Sequence, residues 1–165
     1  MPDPRPAAAR LPRGAGVVAR GMAPDFLESL ARQRRRRGPL LLGGNPRQAL
    51  ALQAGLHWPD RATGAGFAAF RLARRAGAPG ALLSMAAHGP AGLRRARRQK
   101  ADLIFLSPLF PTPSHPGAPS LGPFRWAAQA RRAGRPVAAL GGILATNAAR
   151  VPPPCCGLAA ITALA

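Results

Sequence analysis

The sequence predicts an α/β protein built on a parallel sheet. Seven short apolar runs alternate with six Arg/Ala/Leu-rich segments of helical pattern. Prolines open several of the helical segments, and glycines or small residues close them.

The runs and segments follow in order. Gly16 to Arg20 reads as the first strand, and Pro24 to Gly38 as a helix with proline in its first turn and glycine at its stop. Pro39 to Gly44 is the second strand and Pro46 to Ala54 the next helix. Gly55 to Trp58 is a very short strand before the turn Pro59-Asp60, and Phe67 to Ala76 a helix. Ala81 to His88 is a strand, Pro90 to Gln99 a helix, and Asp102 to Leu106 a strand that runs into a long proline-rich loop. Phe124 to Ala133 is helical, Pro136 to Gly142 a strand, Ala145 to Arg150 a short helix and Gly157 to Thr162 the last strand. An open doubly wound sheet and a (β/α)8 barrel both satisfy this alternation. A full barrel takes roughly 200 residues or more, so a barrel of this length is compressed or lacks an element.

Composition narrows the function. A chain of 165 residues, 47% hydrophobic, can bury a core and is not disordered throughout. No stretch reaches the roughly 18 apolar residues of a membrane span, and the first ten residues lack the apolar centre of a signal peptide. A cytoplasmic location without membrane contact is expected. Cys155 and Cys156 are adjacent, with no Cys or His at metal-ligand spacing, which argues against a zinc site or a disulfide framework.

The formal charge of +19 invites a nucleic-acid reading. The arginines, however, fall in separate helical segments: Arg32 to Arg37, Arg71 to Arg75, Arg94 to Lys100 and Arg125 to Arg135. Aromatics make up 5% of the chain and Tyr is absent, so base-stacking platforms are scarce. Solvated helix faces account for the charge, and nucleic acid is not the expected partner.

Parallel α/β folds bind ligands at the carboxyl ends of their strands. The residues predicted there are Arg20, Gly43-Gly44-Asn45, His57 with Asp60, His88, the loop residues Ser107, Thr112, Ser114 and His115, the pair Gly141-Gly142, and Thr162. All three histidines of the chain lie in this set, and of its five acids only Asp60 does. A Gly-Gly pair after an apolar strand lets backbone N–H groups approach a phosphate closely. Together with Thr162 on the next strand it matches the phosphate site found after the last two strands of many barrels. Asp60 is the acid placed to meet Mg²⁺, an ion that needs few protein ligands when substrate phosphates supply the rest.

Three segments carry a family resemblance. Ala101-Asp-Leu-Ile-Phe-Leu-Ser-Pro-Leu-Phe-Pro-Thr-Pro-Ser-His resembles the "ADY-x-x-x-GPVFPT-x-T/S-K" segment of the thiamine-phosphate synthase/TenI family. Pro136-Val-Ala-Ala-Leu-Gly-Gly-Ile143 resembles its "PVVAIGGI", and Gly157-Leu-Ala-Ala-Ile-Thr-Ala-Leu164 its "GVAVVSAI". The likeness spans Gly16 to Ala165 and implies a compact (β/α)8 TIM-barrel-like domain over 16–165. The first strand and last helix would be missing, and 1–15 would form a Pro/Ala/Arg-rich N-terminal segment. Either that segment or a second copy in a homo-oligomer would supply the first strand.

The resemblance implies thiamine biosynthesis. The synthase reaction joins aminopyrimidine methyl pyrophosphate to thiazole phosphate and releases pyrophosphate with Mg²⁺ assistance. The residues it implies for phosphate contact are Arg20, Thr112, Ser114, Gly141, Gly142, Ile161 and Thr162. Asp60 matches the metal ligand of the family's "GQ-x-D", and His88 and His115 take catalytic positions. Some family residues are replaced: Gly43-Gly44-Asn45 stands where an Asn-Asp metal motif occurs, and His115 where a lysine occurs. Two further activities are compatible with the resemblance. One is a TenI-type thiazole tautomerase with His88 moving the proton, the other a non-catalytic thiazole-phosphate-binding paralogue.

Overall fold

The computed structural model describes residues 5–113, 117 and 119–160. They contain seven strands, six α-helices and one 3₁₀ turn, in two compact units, Met1–Ser84 and Met85–Ala165.

The first unit opens with a short helix α1 (Arg5–Arg10), which the sequence pattern did not predict. Strands β1 (Val17–Ala19), β2 (Leu40–Gly43) and β3 (Gly55–Trp58) pair in parallel, with Val17 opposite Leu40 and Leu41 opposite Gly55. All four residues of β3 and Leu40, Leu41 and Leu42 of β2 are buried. Runs without a polar side are the signature of a sheet covered on both faces. The strand β4 (Leu83–Ala87) starts at the end of this unit, where the Leu56 N–H donates to Leu82 O at 2.7 Å.

Helix α2 (Pro24–Arg34) begins with proline in its first turn and buries Leu27, Leu30, Ala31 and Arg34. That i, i+3, i+4, i+7 stripe is the core-facing side of an amphipathic helix, and its last member is an arginine. Only 1% of Arg34 is exposed. Its Nη1 donates to Ala8 O at 3.2 Å and its Nη2 to Ala15 O, so one guanidinium joins α1 and the approach to β1 onto α2. Helix α3 (Pro46–Ala51) is capped by Asn45, and helix α4 (Phe67–Arg75) anchors through fully buried Phe70.

In the second unit β5 (Leu103–Leu106), β6 (Val137–Leu140) and β7 (Gly157–Ala159) are parallel, with Ile104 opposite Val137 and Ala138 opposite Gly157. Helix α5 (Pro90–Arg98) buries Gly92, Leu93 and Ala96, and helix α6 (Gly122–Arg131) buries Trp126, Ala127 and Ala130. The Trp126 indole is fully buried and donates from Nε1 to Leu106 O at 3.0 Å, which satisfies the one polar atom of a large apolar ring.

One predicted helix shrinks to a turn. The helix expected over Ala145 to Arg150 is a single 3₁₀ turn, Ala148–Arg150. Asn147 uses its side chain on the backbone of Gly142 and Leu144, and local bonds of that kind compete with helix. The last strand ends at Ala159 among the described residues. There, no strand precedes β1, and no helix is long and apolar enough to cross a membrane.

Candidate functional site

In the first unit the strand ends carry Arg20, Asn45, His57 and Asp60. Arg20 follows β1, and its side chain crosses the end of β2: a Cβ on Gly43 would lie 2.4 Å from Arg20 Cγ. A side chain at 43 would require the Arg20 side chain to move. Asn45 is committed elsewhere, its Oδ1 accepting from the Gln48 N–H at 3.1 Å and its Nδ2 donating to Gln48 Oε1 at 3.2 Å. It is an N-cap, a common use of asparagine before a helix.

His57 is buried, and its Nδ1 lies 2.9 Å from Ser84 Oγ. Burial first, and the neighbouring Arg20 charge second, pull its pKa from an ordinary 6.5 to about 4. The imidazole is neutral at physiological pH. Asp60 stands half-buried in the turn after β3. Beside this turn the Trp58 and Phe67 rings stack at 4.5 Å, and Trp58 Nε1 donates to Ala62 O at 3.2 Å.

In the second unit His88 follows β4. Its Nδ1 is 3.1 Å from Ser107 O and 3.2 Å from Ser107 Oγ. A carbonyl only accepts, so Nδ1 carries the hydrogen in the neutral ring and Nε2 keeps the lone pair. This orientation suits a ring that takes up or hands over a proton at Nε2.

Gly141 and Gly142 turn the chain at the end of β6 with φ of 93° and 64°, a region that favours glycine. They also permit a close approach to the β5 loop. A Cβ on Gly141 would meet Pro108 Cα at 2.7 Å, and one on Gly142 would meet Pro111 O at 2.3 Å. The N–H groups of Leu109 and Phe110 donate to Leu140 O and Gly141 O at 2.9 and 3.1 Å. Thr112 lies half-buried just beyond this contact, and the Arg150 guanidinium sits 5.7 Å above the Phe110 ring.

Arg20, His57 and Asp60 thus belong to the strand ends of one unit, and His88, Thr112, Gly141 and Gly142 to those of the other. Ser114, His115, Ile161 and Thr162 lie outside the described residues. Among those described, no group of three or more His, Cys, Asp or Glu side chains could hold a metal. With Asn45 used as a cap, Asp60 is the single carboxylate at these strand ends. The donor set does not build a protein cage for a cation. It suits at most a Mg²⁺ that arrives on phosphates and takes one carboxylate. Ser84 and Asn147 were missed by sequence reasoning, which placed Ser107 at a strand end without pairing it to His88. The roles of Ser84, Ser107 and Asn147 depend on residues 27, 19 and 5 positions away, and no spacing rule flags such pairs.

Parallel strands in chain order, each followed by a helix or loop, with a glycine turn at the end of β6, define a TIM-barrel-like α/β protein. The comparisons agree. The model of the thiamine monophosphate synthase family matches residues 19–164. A thiamine phosphate pyrophosphorylase from Pyrococcus furiosus shares the fold, with a TM-score of 0.77 and 21% identity over 97% of this chain and 79% of that one. A tetrameric deoxyribose phosphate aldolase from Aeropyrum pernix aligns at a TM-score of 0.41 and 18% identity over 85% of this chain and 79% of its own, a level that carries no argument. Among curated proteins no sequence matches. The chain belongs to the thiamine monophosphate synthase family, whose place is in thiamine biosynthesis.

Proposed function

We propose that this protein is a thiamine-phosphate synthase, a transferase that joins aminopyrimidine methyl pyrophosphate to thiazole phosphate. In this reaction the bond between the pyrimidine methylene and pyrophosphate breaks, its electron pair leaving with the pyrophosphate. The thiazole nitrogen lone pair then forms the new C–N bond. The reaction needs stabilisation of the departing charge and a fixed position for the thiazole. The observation that carries this reading is the Gly141-Gly142 turn at the end of β6, inside the segment that matches the family.

In this reading Gly141 and Gly142, with Ile161 and Thr162, hold the thiazole phosphate. By the resemblance Thr112 and Ser114 are phosphate-contacting hydroxyls, Arg20 is a phosphate-contacting cation, and His115 stands where the family has a lysine. Asp60 would be the single protein carboxylate for a Mg²⁺ ion, which would supply counter-charge to the diphosphate. His88 offers Nε2 to the substrates. A cytoplasmic location, small phosphorylated partners and a homo-oligomeric state belong to the same reading.

The tautomerase and non-catalytic alternatives are not favoured, because the family description is that of a synthase and the well-matched structural relative is named for the same chemistry. The deciding experiment is incubation with both substrates and Mg²⁺, following thiamine phosphate and pyrophosphate together. Equimolar release of the two supports the proposal. Absence of product at high enzyme concentration, with thiazole phosphate still bound, would leave a binding protein instead.

A further inference from the structure

We infer that Asn147 is a positioning residue for the anion-binding turn at the end of β6; this rests on the phosphate-binding reading of that turn. Asn147 lies five residues beyond Gly142 and outside the glycine motif. Its carboxamide works in two directions. Nδ2 donates to Gly142 O at 2.8 Å, and Oδ1 accepts from the Leu144 N–H at 2.9 Å.

With the Leu109 and Phe110 N–H groups on Leu140 O and Gly141 O, three successive carbonyls of the turn are engaged within the second unit. An anion at a backbone turn is held by N–H groups and repelled by carbonyl lone pairs. Two of the three carbonyls are tied down by the β5 loop. The third depends on Asn147 alone among the described residues.

That third carbonyl decides where an amide points. The peptide between Gly142 and Ile143 is planar and trans, so its C=O and its N–H project in opposite directions. With the oxygen held by Asn147, the Ile143 N–H is aimed away from Asn147, and it meets no acceptor among the described residues. Gly142, at φ 64°, offers little resistance to rotation of this peptide once the clamp is gone. A rotated peptide would present an oxygen where the phosphate needs a hydrogen. Asn147 therefore sets the polarity of the turn without touching the ligand.

The test measures calorimetric binding of thiazole phosphate and of the unphosphorylated thiazole alcohol to the full chain, beside melting temperature. The variants are Asn147→Ser and Asn147→Ala. Serine keeps an acceptor near the Leu144 N–H and is too short to reach Gly142 O, so it separates the clamp from the local turn if alanine fails to fold. The expected result is a loss of about tenfold or more in thiazole phosphate affinity for Asn147→Ser. The alcohol affinity and melting temperature should stay near wild type, and KM for thiazole phosphate should rise more than kcat falls. Wild-type affinity for the phosphate in Asn147→Ser overturns the inference. Equal loss of both ligands also overturns it, since that marks a merely structural role. A wild-type protein that does not distinguish phosphate from alcohol overturns the phosphate reading of the turn itself, which the variants alone cannot do.

Discussion

His57 Nδ1 sits 2.9 Å from Ser84 Oγ, joining strand β3 to the start of β4 through two buried side chains. The histidine is neutral because burial opposes its charge and Arg20 adds to that opposition, bringing its pKa to about 4. An unfolded chain titrates this group near its ordinary 6.5. From pH 6.5 down to about 4 the unfolded chain therefore takes up a proton that the folded chain refuses. The stability His57 contributes is complete above pH 6.5 and is lost as pH falls through that window, at up to about 1.4 kcal/mol per pH unit. Urea midpoints at pH 7 and pH 5 should differ more for wild type than for His57→Gln. Ser84→Ala, which leaves the buried nitrogen without this partner, should cost about 1–3 kcal/mol at pH 7.

The glycines of the β6 turn should be far less replaceable than a left-handed glycine that faces open space. Gly44, at φ 74°, has open space where a Cβ would go, whereas Gly142 has Pro111 O at 2.3 Å. Gly44→Ala should cost only the backbone strain of about 1–2 kcal/mol. Gly142→Ala adds a clash with backbone that cannot step aside, and should cost on the order of 3 kcal/mol or more. Parallel denaturant titrations of the two variants check this, and equal losses would show that the loop contact yields easily.

Why the strands could be read from sequence and the site only in part follows from the range of the forces involved. Leu40-Leu-Leu and Leu103-Ile-Phe-Leu declare themselves because a strand covered on both faces is apolar throughout. The helices over Pro24, Pro46 and Pro90 declare themselves because proline suits a first turn. Helix α1 could not be read, since six residues carry little periodicity and the helix is fixed by Arg34, 26 positions from Ala8 in the chain. Strand ends located His88 and Gly141-Gly142, but the partners that orient them, Ser107 and Asn147, are matters of tertiary contact. Asn45 was legible as a possible metal-site relic and proved to be a helix cap, a local role that its place before Pro46 also signals.

Arg34 gives a prediction about the N-terminal segment. Its guanidinium is buried, bonded to Ala8 O and Ala15 O, and has no acidic partner among the described residues. Arg34→Ala leaves two carbonyls without their donors and opens a cavity, and should cost about 2–4 kcal/mol. Arg34→Met fills the space without the buried charge and should recover part of that loss. In both variants, hydrogen exchange over residues 5–16 should quicken before the strands of the first unit respond. Unchanged exchange there would show that α1 is held by other contacts.

His88 separates the synthase from the tautomerase. Its Nδ1 hydrogen is directed at Ser107 O, so in the neutral ring the basic lone pair is on Nε2. Tautomerisation moves a proton in its central step, so His88→Gln should slow it by about 10²-fold or more. The synthase step breaks a carbon–oxygen bond and forms a carbon–nitrogen bond, driven by stabilisation of the leaving pyrophosphate. There the same substitution removes a contact and should cost less than about tenfold, since a neutral hydrogen bond is worth about 1 kcal/mol. Both rates are to be measured on one preparation of the variant. A collapse of pyrophosphate release to the same extent as proton exchange would put His88 at the centre of the transfer reaction and require a proton in its rate-limiting step.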